Sequence, residues 1–195
     1  MENAEVADLM ARFEPLVKHF NRYLTIGGFP ELALSDDDLY AQRMLREDVV
    51  DKVIKRDVLT LFKVRSPLLM EKLFLYLYMN STEIFSATTA AKELDNISPN
   101  TIESYVDALV KSNLIYMAYP IAVGSKSVLK GRPKIYIADA AIRNAVLMVD
   151  DVLSDERELG LLIETTVYKH LVSFYQGTGA QLGYYRKAKE NQKEV

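Results

Sequence analysis

The stretch from Ser66 to Ile137 constrains this chain most, because it carries start signals for three short amphipathic helices followed by a two-stranded hairpin. Two of the three helices open on the same dipeptide, Ser66-Pro67 and Ser98-Pro99. A serine hydroxyl accepts from the free amides of a first turn, and a proline there loses nothing by lacking an N–H. Leu69, Leu73, Tyr76 and Leu77 share a face of the first helix, and Ala87, Ala90, Ala91 and Leu94 a face of the second. Ile102, Tyr105, Val106, Leu109 and Val110 line the third, which Asn113 is suited to close in the left-handed conformation. Asp95-Asn96-Ile97-Ser98 has the length of a helix-turn-helix turn. Leu114 to Tyr119 and Lys134 to Ile137 are rich in β-formers and are joined by the loop from Pro120 to Pro133. The order predicts a winged helix-turn-helix, a module that most often sits on duplex DNA.

The flanks are also helical in pattern. Val6, Leu9, Met10, Phe13, Leu16, Val17 and Phe20 recur at spacings of three and four, which makes one apolar stripe on a helix ending near Leu24. Gly27-Gly28-Phe29-Pro30 then breaks it. Ser35, followed by Asp36, Asp37 and Asp38, predicts the start of a second helix reaching about Phe62, with Leu45, Val49, Val50, Val53 and Ile54 turned inward. After the hairpin, Asp139 caps a short helix to about Met148, and an amphipathic helix spans Leu159 to Tyr175. Gly177-Thr178-Gly179 ends that helix, and Leu182 to Arg186 reads as a strand. The chain stops at Lys193-Glu194-Val195 without a closing element, which reads as a truncated domain. The expected fold is mainly α with some β, an α+β class in three parts. These are a helical segment over 1–64, a winged-helix domain over 65–149, and a third, unfinished part over 150–195.

Composition limits the functions available. The 195 residues suffice for one ordinary domain or two small ones. A net charge of −3 gives no global attraction for nucleic acid, so any such contact needs a local patch. The absence of cysteine removes disulfides and thiolate metal sites and fits a reducing cytoplasm. His19 and His170 lack a second ligand at metal-binding spacing, and no apolar run approaches the roughly 18 residues of a membrane span. The acidic start is unlike a signal peptide. Gly27-Gly28 lacks the Gly-Lys-Ser/Thr ending of a phosphate loop.

Two candidate nucleic-acid surfaces remain. Asn100, Thr101 and Ser104 sit on the outer face of the third helix, but Glu103 and Asp107 leave that helix at −1 against the phosphates it would meet. A packing or protein-contact role suits it equally. The wing carries Lys126, Lys130, Arg132 and Lys134 with no acid between Tyr119 and Asp139, enough to neutralise about four phosphates. The alternative is a solvated loop. Glu164 sits among apolar neighbours, Gly160-Leu161-Leu162-Ile163, and is a weak catalytic or metal-ligating candidate; pairing with a cation or plain exposure are the other readings. Tyr185-Arg186-Lys187 and Glu194 lie where they would join it. Arg56-Asp57 reads as an intramolecular pair or an interface arginine.

Taken in order, Tyr23-Leu24, Gly27-Gly28-Phe29-Pro30-Glu31, Arg56-Asp57, Pro133-Lys134-Ile135-Tyr136-Ile137-Ala138-Asp139, Gly160 with Glu164, and Tyr184-Tyr185-Arg186 with Glu194-Val195 form a pattern. It resembles the C-terminal region of prokaryotic AAA+ ATPases that carry a DUF4143 domain, from about residue 20 onward. The resemblance implies an N-terminal P-loop module using ATP and Mg²⁺, a central winged helix, and a C-terminal part similar to the PD-(D/E)XK nuclease fold. No Gly-x-x-x-x-Gly-Lys-Ser/Thr occurs here, so no cofactor is expected in this chain itself. Glu164 matches the helical glutamate of the nuclease-like fold, whose aspartate and further strand would follow Val195. The expected function is therefore a non-catalytic, DNA-contacting region of such an ATPase. A module binding other ATPase subunits or a protein partner is the alternative, and part of a metal-dependent nuclease a second; no membrane partner is expected.

Overall fold

The computed structural model describes residues 2–62, 64–121, 131–149 and 151–185, with backbone alone at 2–5, 7, 49–51, 54–55 and 57. It is α+β. Helix α1 (Glu2–Ile26) is followed by the short α2 (Pro30–Ala33) and by α3 (Asp38–Leu45). From there the chain winds as a π-helix over Arg46–Val58 and closes with the single turn α4 (Leu59–Leu61). The predicted start at Ser35 is corrected by three residues. The Asp37 carboxylate accepts from the Tyr40 amide at 2.9 Å and so caps α3, while the Ser35 hydroxyl accepts from the Asp37 amide in the preceding turn. Leu45 is buried and Val53 half-buried, whereas Val49, Val50 and Ile54 have side chains outside the described set.

The middle of the chain has the predicted winged-helix arrangement. Helices α5 (Pro67–Met79), α6 (Ala87–Glu93) and α7 (Pro99–Lys111) precede strands β1 (Ile115–Pro120) and β2 (Lys134–Ile137), which pair antiparallel with Ile115 opposite Ile137. Residues 82–85, between α5 and α6, run along the other edge of β2: the Thr82 amide donates to the Ile135 carbonyl at 2.7 Å and Phe85 to Pro133 at 2.8 Å. Ser66 caps α5 through the Leu69 amide. Ser98 makes no side-chain cap, a departure from expectation, although its carbonyl takes the Ile102 amide and Pro99 stands at the first helical position. Asp95, Asn96 and Asn113 adopt positive φ at the two turns, as short amide and carboxylate side chains tolerate.

Leu73, Phe74, Leu77, Ile102, Leu109, Ile115 and Ile137 form the centre of the core, and α8 (Ala140–Leu147) closes one side with Ala141, Ile142 and Ala145. Helix α9 (Glu156–Tyr175) seals a second cluster, in which Leu162 meets Leu24, Ala140 and Val152. Strand β3 (Gly183–Tyr184) pairs parallel to the end of β1, so the sheet order is β2-β1-β3. Gly183 permits this approach, since a Cβ there would lie 2.2 Å from the Tyr119 carbonyl oxygen.

The stripe on α1 has the predicted period, yet among the described residues nothing covers it from Val6 to Val17. Val6, Leu9, Phe13, Leu16 and Val17 are each about half exposed, and only Leu24 and Ile26 at the end of the helix are buried.

Candidate nucleic-acid interface

The helix-turn-helix positions α7 so that its N-terminal turns face outward. Asn100 and Ser104 are exposed and Thr101 is half-buried. The same helix shows Glu103 to solvent, and Asp107 is bonded to Lys111 at 2.6 Å one turn on. That pair consumes the helix's one cation, so the outer face keeps an uncompensated carboxylate. Uncharged polar side chains thus stand on the outward turns of α7 beside carboxylates, which repel a phosphate instead of attracting it.

Of the four wing cations, Lys126 and Lys130 lie outside the described residues. Arg132 is exposed and makes no ion pair among the described residues; its carbonyl accepts from the Tyr184 hydroxyl at 2.7 Å, which fixes the backbone at the root of the wing. Lys134 differs from expectation. Its ammonium donates to Glu164 on α9 at 3.0 Å and is only about a quarter exposed. The Tyr136 hydroxyl donates to the same carboxylate oxygen at 2.7 Å. Strand alternation explains the pair, because residues two apart on β2 share a face, here the one toward α9. Tyr136 also stacks on Tyr168, with ring centroids 4.0 Å apart and planes 13° from parallel. Burial, with the hydrogen bond to Glu164, pushes the Tyr136 phenol well above its usual 10.0.

Glu164 is therefore held by Lys134 and Tyr136. Among the described residues no group of three or more His, Cys, Asp or Glu side chains is placed to hold a metal ion. Arg186, Lys187 and Glu194 fall outside the described residues, as does the side chain of Asp57; Arg56 is exposed in the π-helix.

Between α7 and the root of the wing lies an open cleft of about 820 Å³. Phe85, Tyr116 and Tyr119 provide apolar floor and walls, Glu103 and Asp107 form one rim, and Arg132 stands at another. The size suits a small ligand or a few residues of an extended peptide, and the rim carries charges of both signs, Glu103 and Arg132, with Asp107 already paired to Lys111.

The motif residues gather elsewhere. Asp139 is buried, caps α8 through the Ala141 amide at 2.9 Å, and pairs with Lys169 of α9. The Lys169 ammonium also donates to the Tyr23 hydroxyl at 3.1 Å and lies 5.6 Å from the centre of its ring. Burial acts to lower the Lys169 pKa, but the neighbouring Asp139 carboxylate, with Tyr23, raises it overall. Gly27, at φ +78°, faces this site: a Cβ on it would fall 2.8 Å from Asp139 Oδ1. One on Gly28 would meet the Tyr23 ring at 2.9 Å. The glycine turn is filled by a carboxylate and an aromatic ring, so it offers no cradle for a nucleotide phosphate. A second buried pair, Arg143 with Glu158, joins α8 to α9, and the Arg143 Nε donates to the Tyr78 carbonyl at 3.1 Å. Sequence reasoning placed Asp139 as a cap but missed Lys169, whose only signal was a cation on the inner side of an amphipathic helix.

No helix among the described residues is long and apolar enough to cross a membrane. Residues 17–153 match the family described as a domain of unknown function, DUF8612. Two uncharacterized proteins of Methanocaldococcus jannaschii are similar to the chain. MJ1544 is 25% identical over 160 residues, covering 80% of this chain and 34% of the relative. MJ1637 is 29% identical over 172 residues, covering 87% of this chain and 35% of the relative. The chain thus spans about a third of the length of the curated relatives it matches. No solved structure matches it.

Proposed function

The chain belongs to the DUF8612 family, and from that premise we propose that it is a non-catalytic winged-helix region of a longer protein, touching duplex DNA through the cations of its wing. The resemblance to DUF4143-bearing AAA+ ATPases gives that longer protein its character: a cytoplasmic ATPase whose ATP and Mg²⁺ are bound outside this sequence. The observation that carries the reading is Arg132. It stands exposed and, among the described residues, without an ion pair at the root of a β-ribbon, preceded in sequence by Lys126 and Lys130. Lys134 is not counted among the contacts, since Glu164 already meets its charge.

Fluorescence anisotropy with a labelled duplex across a salt series tests this. Three cations released from phosphate correspond to a change of up to about 2.7 in the slope of log K against log salt. Lys126→Ala, Lys130→Ala and Arg132→Ala together should remove most affinity and flatten the slope by up to that amount, while Lys134→Ala alone should leave it nearly unchanged. If the unaltered chain fails to bind even at low salt, the DNA reading is wrong.

One observation favours a protein contact instead. The exposed Glu103 carboxylate borders an apolar, tyrosine-walled cleft, a combination suited to a basic side chain of a partner polypeptide. Loss of DNA binding together with capture of a lysine- or arginine-bearing peptide, abolished by Glu103→Lys, would support that reading.

A further inference from the structure

The exposed stripe on α1 is more regular than an amphipathic helix of a globular domain requires. Val6, Leu9, Phe13, Leu16, Phe20 and Tyr23 alternate at three and four residues, which is the a/d pattern of a coiled-coil seam over nearly three heptads. All but Tyr23 are 40–55% exposed, and no described side chain from Val6 to Phe20 is buried. A helix with these features gains little from its own body over those turns, and Pro15 removes one of its internal hydrogen bonds. Water is a poor neighbour for a continuous face that includes Phe13 and Phe20.

The charge along α1 indicates what covers it. The sequence places Glu2, Glu5 and Asp8 in its first turns and Lys18, His19 and Arg22 near its end, with Arg12 and Glu14, one charge of each sign, between them. Asp8 is bonded to Arg12 on its own helix at 2.7 Å, and Arg22 is held by the Ala33 and Ser35 carbonyls and by Asp38. Lys18 is exposed and makes no ion pair among the described residues. A second α1 running the opposite way brings the acidic end of each helix beside the basic end of the other, twice over, as a twofold axis demands. A parallel pair would set acids against acids.

We propose that α1 is the seam of a homodimer, packed antiparallel on α1 of a second copy. The twofold axis then passes between Phe13 and Leu16, so that each Phe13 sits against Leu16 of the second copy. The same arrangement brings Val6 and Leu9 of that copy toward Phe20 and Tyr23. There α1 and α9 diverge to leave a cleft of about 600 Å³, walled by Phe20, Tyr23, Val167, Leu171 and Phe174. The inference stands on α1 and α9 alone and does not depend on DNA binding.

Sedimentation equilibrium of the full chain tests the assembly, and single cysteines, in a sequence that has none, test its direction. The expected mass is twice 22.2 kDa, reverting to 22.2 kDa for Phe13→Glu with Leu16→Glu while the circular dichroism of the body is retained. An equimolar mixture of Phe13→Cys and Leu16→Cys chains should give a disulfide-linked dimer on mild oxidation, since those two positions face each other in this register. Val6→Cys should not, because the two copies of that position lie about 25 Å apart in an antiparallel pair. A monomer at millimolar concentration, a dimer that survives the double glutamate variant, or efficient cross-linking through Val6→Cys each overturns the proposal. A monomeric result would leave the stripe to another part of a longer polypeptide.

Discussion

Replacing Lys169 with methionine should destabilise the fold through a residue well away from the wing. The substitution keeps most of the side-chain volume and removes the ammonium that faces Asp139. The Asp139 side chain is only 6% exposed, and without Lys169 its remaining bond among the described contacts is the one from the Ala141 amide. Removing one partner of a fully buried pair costs about 3–5 kcal/mol. The Lys169 side chain is 25% exposed, so water can partly replace it. A loss of about 2–3 kcal/mol follows. At roughly 2–4 °C per kcal/mol for a chain of this length, the melting temperature should fall by about 4–12 °C. Urea titration followed by far-ultraviolet circular dichroism gives the free energy directly, since the sequence has no tryptophan for fluorescence. Asp139→Asn in the same background removes the stranded charge but retains a capping side chain, and should restore at least half of the loss. If Lys169→Met lies within about 0.5 kcal/mol of the parent, or the double variant is as weak as the two losses summed, the pair is not a stabilising clamp.

Two other outcomes follow from the same region. Gly27→Ala should lower stability by about 2–4 kcal/mol, combining left-handed strain with intrusion on Asp139, whereas Gly177→Ala, left-handed but facing open space, should cost only about 1–2 kcal/mol. Both are measured from urea midpoints. The chain should also weaken in alkali. Burial raises the pKa values of Tyr76, Tyr78, Tyr136 and Tyr168, and Asp139 with Tyr23 raises that of Lys169 against the effect of burial. Each folded group holds its proton more tightly than its unfolded counterpart. Their contribution is complete below the ordinary values of 10.0 and 10.5 and is lost as pH rises through the folded ones. Melting temperatures should therefore be level from neutral pH to about 9 and drop beyond 10; a rise there would contradict the burial of these phenols.

The parts of the fold that local chemistry dictates were legible in the residues. Ser66, Asn113 and Asp139 mark element ends in the ways their side chains allow, and β2 begins and ends where its β-formers do. Ser35 misled because Asp37, two residues on, competes for the same first turn and has the stronger acceptor. The π-helical winding of 46–58 was not legible, since the same residues serve either ladder and the choice lies with tertiary packing. Periodicity announced α1 as a helix but carries no information on what meets its stripe. The wing suffered from the same limit: Lys134 reads as a free cation until Glu164, thirty residues later, is brought against it by α9.

Strand β3 gives the wing an anchorage of a particular kind. Tyr119 and Pro120, the last residues of β1, are gripped by Gly183 and Tyr184 on one side. On the other they are crowded by Gly131, whose missing Cβ would fall 2.0 Å from Pro120 Cγ. Movement of β3 is thus passed through paired backbone straight to the last residues of β1, since the Ile121 amide also donates to the Tyr184 carbonyl at 2.8 Å.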